Sequence, residues 1–230
     1  MADLNKRELV ETGDGSHSLY VPDLDEQYHS RHGAIQESEH VFLDMGLRRA
    51  EENGPDRLRI LEIGFGTGLN ALLTLLRATV PVEYVGIEKY PVQVEEAAAL
   101  NYTAVLGGVQ DMEWLHATPW EDWNQHPEQP FRLKKQNLDF FDIALEEPVD
   151  LIYFDAFAPN KQPELWTEEM FAHMAELLHP GGILTTYCAK GAVRRALQSV
   201  GLKVARLPGP PGKREMLRAE LAQSEKESEE

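Results

Sequence analysis

Three acidic residues stand in or directly after short apolar runs. Glu62 lies in the run before a glycine-rich turn, and Glu88 and Asp155 follow the runs 82–87 and 149–154. Such runs predict buried strands. Ligands of an open parallel sheet bind outside the carboxyl ends of the strands, so the three acids are predicted to share one site. Glu88 is placed to accept hydrogen bonds from both ribose hydroxyls of a nucleoside, and the alternative is an exposed strand-end carboxylate.

The run that contains Glu62 leads into three alternate glycines, Gly64, Gly66 and Gly68, and then into a helical pattern of leucines. This order predicts a strand, a tight turn and a helix whose N-terminus opens onto the turn. Glycines allow positive φ and let a ligand approach the main chain. The spacing is G-x-G-x-G, unlike the G-x-G-x-x-G of dinucleotide-binding turns, and a glycine turn that binds nothing is the alternative.

The alternation of strand and helix patterns predicts an α/β fold with a doubly wound, Rossmann-like sheet. We expect seven strands, mostly parallel, with the last strand antiparallel. The predicted strands lie near 60–63, 82–87, 131–137, 149–154, 183–187, 202–207 and 214–221. We expect residues 1–57 to form an N-terminal extension and substrate-side cap, of which 1–15 are frayed or edge-like. The main domain is expected over 58–221, with an insert at 102–130. Residues 222–230 are expected to form an acidic, disordered tail.

The composition predicts an acidic globular protein. The formal net charge is −17, from 22 basic and 39 acidic residues, which argues against non-specific coating of nucleic acid. No apolar run approaches the roughly 20 residues of a membrane helix, and the polar N-terminus is unlike a signal peptide. The single cysteine, Cys188, and the histidine spacing indicate neither a disulfide nor a metal site. We therefore expect a cytoplasmic protein that uses no metal.

The glycine turn, the strand-end acids and the Pro-Gly-Gly turn before the fifth strand resemble the class I S-adenosylmethionine-dependent methyltransferases. The resemblance implies S-adenosylmethionine as the cofactor. It also implies an acid after the third strand that contacts the adenine: Asp139 is the candidate and Asp142 the competitor, with a helix N-cap as the alternative role. The implied cofactor-binding residues are Glu62, Gly64, Gly66, Gly68, Asn70, Glu88 and Asp139.

Three segments carry a narrower resemblance. They are YHSRHGAIQESEHVF at 28–42, FDAFAPNKQPELWT at 154–167 and PGPPGKREML at 208–217. Together they resemble the bacterial tRNA (5-methylaminomethyl-2-thiouridine) methyltransferases over about residues 15–221. The second segment is the most specific of the three. The resemblance covers only the methyltransferase half of that family's bifunctional form and does not extend to its flavin-dependent oxidoreductase domain.

This resemblance implies methyl transfer to the amine of 5-aminomethyl-(2-thio)uridine at the wobble position of tRNA. Asp155 would hold the amine or take its proton, and base flipping would let the enzyme grip only the anticodon loop. A separate flavin oxidoreductase, or an upstream enzyme that forms the aminomethyl group, is an implied partner. The implied substrate-binding residues are Tyr28, Arg31, His32, Glu37, Phe157, Pro159, Lys161, Lys213 and Arg214.

Basic residues cluster along the chain in spite of the acidic net charge. Several clusters fall near the predicted carboxyl ends of strands, where they could form a basic rim for tRNA, although solvated surface is the alternative for any single lysine. The clusters are Arg31-His32, Lys134-Lys135, Lys161, Lys190 with Arg194-Arg195, and Lys213-Arg214. Tryptophans 114, 120 and 123 favour anchoring of the insert onto the core over base stacking.

Two other functions remain open on the sequence. One is a methyltransferase that acts on the amine of a small molecule or a protein, which would be active without RNA. The other is a non-catalytic binding module, which would not bind S-adenosylmethionine.

Overall fold

The computed structural model describes residues 4–52, 54–106 and 111–223, so most of the predicted acidic tail, 224–230, lies outside the described residues. The described strands are β1 (Glu8–Glu11), β2 (His17–Val21), β3 (Glu26–Gln27), β4 (Leu58–Ile63), β5 (Val82–Ile87), β6 (Asn124–Gln125), β7 (Phe131–Gln136), β8 (Val149–Phe154), β9 (Leu178–Thr186), β10 (Lys203–Pro208) and β11 (Glu215–Glu220).

The described α-helices are α1 (Ala34–Ser38), α2 (Arg48–Glu51), α3 (Leu69–Arg77), α4 (Val94–Ala98), α5 (Tyr102–Leu106), α6 (Asp111–Ala117), α7 (Glu168–Leu177) and α8 (Gly191–Ser199). A π-helix, Glu39–Leu47, joins α1 to α2, and 3₁₀ turns cover Phe140–Asp142 and Pro163–Trp166. Within the described ranges, no helix is long and apolar enough to cross a membrane.

The described strands of the central sheet lie in the order β10-β11-β9-β8-β4-β5-β7-β6. From β9 to β7 the neighbours run parallel, whereas β11 is antiparallel to both β9 and β10. The predicted α/β fold, with a mostly parallel sheet and an antiparallel last strand, is confirmed. The described sheet has one strand more than the predicted seven, the two-residue β6, which pairs with β7. The chain turns back between these strands at 126–130, where the His126 N–H donates to the Phe131 carbonyl.

The strand order reverses beside β4, which pairs with β5 on one side and β8 on the other. Ile63 lies opposite Ile87 in one pairing and opposite Phe154 in the other, so the three strands end level. The glycine turn, Glu88 and Asp155 follow these strand ends. The fold therefore brings the three predicted features to one edge of the sheet, at the switch in strand order.

Two apolar clusters hold the sheet from opposite faces. Ile60 belongs to the cluster that includes α3 and the helical segment 34–51, and its neighbour Leu61 belongs to the cluster that includes α7 and α8. Successive strand residues point to opposite faces, so β4 is buried on both sides. Each large apolar side chain buried in this way contributes about 1.5–3 kcal/mol. This packing fixes the positions of the strand ends that carry the acids.

Residues 8–27 form a separate three-stranded antiparallel sheet in the order β1-β2-β3. The expected frayed start is wrong for Glu8–Glu11, which pair with His17–Tyr20. The turn between them is held by Asp14, whose Oδ1 accepts hydrogen bonds from the Ser16 N–H, the Ser16 hydroxyl and the Thr12 hydroxyl. The expectation of an edge is right, because β2 is the one strand of the described part of the chain that pairs with β1.

Candidate active site

A cavity of about 570 Å³ opens at the carboxyl ends of β4, β5 and β8. The glycine turn, residues 155–158 and the N-terminal segment 26–31 contribute to its walls. The cavity lies where an open α/β sheet binds its ligands. Its volume falls within the range of about 300–1,000 Å³ that is usual for small-molecule and cofactor sites.

The glycine turn needs its glycines for two separate reasons. Gly64, Gly66 and Gly68 have φ of 88°, 49° and 77°, in the left-handed region that side chains disfavour. A Cβ on Gly64 would lie 2.8 Å from the Asp155 carbonyl oxygen, and a Cβ on Gly66 would lie 2.9 Å from the Tyr28 ring. The turn therefore packs closely against both neighbouring walls. Gly68 caps α3 and does not line the cavity.

Glu88 supports the glycine turn from the end of β5. Its carboxylate accepts hydrogen bonds from the Gly66 N–H at 3.0 Å and the Tyr90 N–H at 2.8 Å. Burial raises the pKa of this carboxyl, and the backbone hydrogen bonds oppose the rise. Glu88 lines the cavity, so its position fits the predicted contact with ribose hydroxyls.

Asn70 joins two of the predicted acids. Its Nδ2 donates to Glu62 Oε1 at 2.8 Å and to Asp155 Oδ2 at 2.9 Å. The other Glu62 oxygen accepts from the Tyr84 hydroxyl at 2.8 Å, and burial raises the pKa of Glu62 well above its usual value. Asn70 Oδ1 is buried and has no hydrogen-bond partner among the described residues. An unmatched acceptor in this cavity fits a cationic amino group such as that of S-adenosylmethionine.

Asp155 is a buried acid in the wall of the cavity with a strongly raised pKa. Burial raises its pKa to about 7, and the charge of Glu37 adds to the rise, whereas the hydrogen bond from Asn70 and the charge of Lys213 oppose it. A carboxylate of this kind exchanges a proton near physiological pH, as a general base requires. The predicted catalytic residue therefore has an environment suited to proton transfer.

Lys213 and Glu37 form an ion pair in the same cavity. Lys213 Nζ lies 2.5 Å from Glu37 Oε1 and 4.0 Å from the centroid of the Tyr187 ring. Glu37 also accepts a hydrogen bond from the Ser30 N–H at 2.8 Å. The pair links α1 to the loop before β11, so two of the three resembling segments meet here.

Asp155 is expected to make the protein less stable as the pH rises. Because its folded pKa of about 7 exceeds the unfolded value of about 3.9, the native state binds more protons between these values, and stability falls with pH in that window. Asp155→Asn removes this slope. We expect the variant's melting temperature, relative to the wild type, to be higher at pH 8 than at pH 5 by on the order of 4 °C. Thermal scans at the two pH values measure this difference, and an equal difference at both would contradict the raised pKa.

Asp139 lies at the cavity and also caps a turn. Its Oδ2 accepts from Lys89 Nζ at 2.5 Å, and its Oδ1 accepts from the Phe141 N–H at 3.2 Å at the start of a 3₁₀ turn. The hydrogen bond from Lys89 lowers the pKa of Asp139. Asp142 is exposed and does not line the cavity. The position of Asp139 is compatible with both the adenine contact and the capping role.

Most of the predicted site residues meet at this cavity. Those that line it are Tyr28, Arg31, Glu37, Glu62, Gly64, Gly66, Asn70, Glu88, Asp139, Asp155, Phe157, Lys161 and Lys213. Those that do not line it are Gly68, His32, Pro159 and Arg214. His32 instead packs so closely against Gly212 that a Cβ there would clash with its ring.

The sequence prediction missed several residues that line the cavity. Phe65 and Thr67 lie between the predicted glycines, so the motif itself could have indicated them. His29 is buried with its pKa lowered to about 4 by burial, and its Nδ1 lies 3.1 Å from the Ser18 hydroxyl. Tyr187 donates from its hydroxyl to the Ala156 carbonyl at 2.9 Å. These two contacts join distant segments, so local sequence patterns do not show them.

The prediction that Lys135 contributes to a basic rim is wrong. Its side chain is buried, and Nζ donates to the carbonyls of Leu115 at 2.7 Å and His116 at 3.1 Å. It thus caps the last turn of α6, and burial lowers its pKa to about 8. Strand alternation explains the error, because Lys134 and Lys135 point to opposite faces of β7.

Two of the three tryptophans of the insert, Trp114 and Trp120, pack against buried aromatic residues as predicted. Trp114 packs on the first apolar cluster and lies edge-on to Phe131, with ring centroids 6.3 Å apart. Trp120 lies edge-on to Phe65 at 6.3 Å. Trp123 differs, because it is exposed and Arg132 lies 4.3 Å from its ring centroid.

The strand order and the position of the cavity are those of a class I S-adenosylmethionine-dependent methyltransferase. Residues 115–222 match a family model described as S-adenosyl-L-methionine-dependent methyltransferase. S-adenosylmethionine is accordingly its cofactor. The resemblance to the methyltransferase part of the bifunctional 5-methylaminomethyl-2-thiouridine biosynthesis proteins is confirmed.

Two curated relatives are similar in sequence to most of the chain. The tRNA 5-methylaminomethyl-2-thiouridine biosynthesis bifunctional protein MnmC of Pseudomonas fluorescens is 33% identical to it, and the match covers 86% of this chain and 32% of that protein. The protein of the same name from Cupriavidus metallidurans is 31% identical, and the match covers 95% of this chain and 34% of that protein. The chain therefore spans about one third of the length of these relatives.

The crystal structure of MNMC2 from Aquifex aeolicus superposes with a TM-score of 0.74 at 27% identity, covering 96% of this chain and 72% of that one. Spermidine synthase from Thermotoga maritima superposes with a TM-score of 0.54 at 13% identity, covering 95% and 72%. The second likeness concerns the fold alone.

Proposed function

We propose that the protein transfers a methyl group from S-adenosylmethionine to the amine of 5-aminomethyl-(2-thio)uridine at the wobble position of tRNA. The observation that carries the proposal is Asp155, a carboxylate with a pKa near 7 in the wall of the cofactor cavity. The relatives named for 5-methylaminomethyl-2-thiouridine biosynthesis support the choice of substrate.

The residues around Asp155 suit an amine substrate. When bound, S-adenosylmethionine supplies a methyl group that its sulfonium activates. The attacking amine must be neutral, so Asp155 accepts its proton, directly or through water, and then holds the nitrogen by a hydrogen bond. Asn70 fixes the direction of the carboxylate through the hydrogen bond to Oδ2. Orientation of this kind supplies a large share of the rate in group transfer.

Aromatic side chains near Asp155 suit a flat base. Tyr28 and Phe157 meet edge to face with centroids 5.0 Å apart, and both line the cavity. Tyr187 lines it too, beneath Lys213. We propose that these residues and the N-terminal cap, 1–57, receive the flipped uridine, with the domain over 58–221 holding the cofactor.

Cations in the cavity wall and in the segments beside it can meet RNA phosphates. Arg31 and Arg214 are exposed, whereas Lys161 donates to the Leu24 carbonyl at 2.6 Å and Lys213 pairs with Glu37. Arg31 is therefore the cation at the cavity wall that is most available to a phosphate. Contact with the anticodon loop alone needs only a small patch, which reconciles a tRNA substrate with the net charge of −17.

Binding of tRNA is expected to weaken as the salt concentration rises. Each neutralised phosphate contributes a slope of about −0.7 to −0.9 to the plot of log affinity against log salt, and Arg31→Glu should weaken binding about 3–10-fold and flatten the slope. Filter binding between about 50 and 200 mM salt measures both quantities. The matched control, Lys203→Glu, reverses an exposed cation on β10 outside the cavity. Wild-type affinity that stays constant over this range would contradict an RNA substrate.

The acidic net charge favours one other function, an N-methyltransferase that acts on a small molecule or a protein amine. The two functions separate in one assay with labelled S-adenosylmethionine. Label in tRNA that lacks the modification supports the proposal, and label in a free amine or a protein without RNA supports the alternative.

The proposed substrate implies other enzymes. The aminomethyl group must be present on the uridine first, so an upstream aminomethyl-forming enzyme or a separate flavin oxidoreductase is the proposed functional partner. Action on tRNA would place the protein in the cytoplasm.

A further inference from the structure

The N-terminal segment before β1 sends one arginine into the protein. The Arg7 side chain has 0% exposure to solvent, although its neighbours Asn5 and Lys6 are exposed. An arginine is always charged and is almost never fully buried unless it is paired. The partners of Arg7 therefore indicate what the segment does.

The Arg7 guanidinium contacts three separate segments, and two of the residues it contacts, Tyr28 and Tyr90, line the cavity. Nε donates to the Tyr28 hydroxyl at 2.9 Å, and Nη1 pairs with Glu96 Oε2 at 2.9 Å. Nη2 donates to the Tyr90 carbonyl at 2.5 Å. The planar fork of arginine suits such a divided set of acceptors, which a lysine cannot match.

Two of these partners belong to the structure that supports the glycine turn. The Tyr28 ring occupies the space beside Gly66, where a Cβ would lie 2.9 Å from it. The Tyr90 N–H donates to Glu88, and Glu88 in turn accepts from the Gly66 N–H. Arg7 therefore holds both the ring that packs on the turn and the loop that orients the strand-end carboxylate.

We propose that Arg7 is a positioning residue for S-adenosylmethionine, which locks Tyr28 and the loop 89–91 around Glu88 and so makes the N-terminal segment part of the cofactor site. The inference rests on the proposed role of Glu88, and binding of S-adenosylmethionine in the absence of tRNA tests it separately from the proposed substrate. Arg7 acts through Tyr28, Tyr90 and Glu88, and the residue Leu4 ahead of it lines the same cavity.

The test replaces Arg7 by methionine, which keeps a long apolar stem and removes the donors. We expect the Kd for S-adenosylmethionine, measured by titration calorimetry, to rise about 10–100-fold, in line with the loss of charged hydrogen bonds. The KM for the cofactor should rise similarly, with kcat changed less than about threefold, because the reacting end at Asp155 is untouched. The matched control is Arg57→Met, since Arg57 is 52% exposed and pairs with Glu83 away from the cavity.

A second pair of variants keeps the test decisive if Arg7→Met does not fold. Tyr28→Phe keeps the ring and removes one acceptor of Arg7, and Glu96→Gln removes its charged partner. Each should weaken cofactor binding about 2–10-fold, and Arg7→Lys combined with Tyr28→Phe should cost less than the sum of the two single effects. Wild-type Kd in Arg7→Met with a lowered melting temperature, or wild-type Kd in both Tyr28→Phe and Glu96→Gln, would overturn the proposal. If Glu88→Ala binds S-adenosylmethionine weakly but Arg7→Met binds it normally, the role proposed for Arg7 is refuted and that of Glu88 is retained.

Discussion

Asp155→Asn is expected to lower kcat by about 10²–10⁴-fold, which is the usual contribution of a general base. Asparagine keeps the shape and one acceptor, so the loss isolates the charge from packing. Asp155 lines the cavity, and the hydrogen bond that its carboxylate accepts comes from Asn70. The Kd for S-adenosylmethionine should therefore change much less than kcat.

Single-turnover methylation by wild type and Asp155→Asn across pH measures this loss. The wild-type rate should rise through the pKa of about 7, and the variant should recover part of its rate at high pH, where more of the amine is free. Asp142→Asn is the matched control, because Asp142 is exposed and lies outside the cavity lining. A normal rate in Asp155→Asn with a lowered melting temperature would instead assign Asp155 a role in holding the following turn.

Glu88→Ala should weaken binding of S-adenosylmethionine at least about tenfold, because each charge-assisted ribose hydrogen bond is worth roughly 1.5–3 kcal/mol. The alanine also removes the acceptor for the Gly66 and Tyr90 N–H groups. Glu88→Gln keeps one acceptor, so its affinity for S-adenosylmethionine should lie between those of Glu88→Ala and the wild type.

Calorimetry on the Glu88 variants measures the affinity directly, without the methyl acceptor. Glu95→Gln is the control, since Glu95 is an exposed acid in the helix that follows β5. Unchanged affinity in Glu88→Ala would remove Glu88 from the cofactor site.

The long strands and the glycine turn were predictable because their signals are local. The apolar runs before Glu88 and Asp155 and the leucine spacing of α3 follow from strand and helix periods. The level ends of β4, β5 and β8 then follow from the parallel sheet. This is why Glu88 and Asp155, which are distant in sequence, could be assigned to one site from the strand pattern, whereas Asn70 was indicated only by the family resemblance.

The remaining features depend on contacts between distant segments. Lys135 reads as a surface cation in sequence, but it caps α6 across about 20 residues. Arg7 lies 84 residues from Pro91 and next to polar residues that gave no sign of burial. The short strand β6 depends on a turn rich in proline and polar residues. No local period carries such information, because packing in three dimensions decides it.

The central claim is methyl transfer to the wobble amine of tRNA, and one measurement tests it most directly. The wild-type protein is incubated with labelled S-adenosylmethionine and tRNA that carries 5-aminomethyl-2-thiouridine, and the nucleosides are then separated by mass. We expect the label in 5-methylaminomethyl-2-thiouridine, at a rate reduced about 10²–10⁴-fold in Asp155→Asn. Bound cofactor with no label in the tRNA would contradict the proposed substrate.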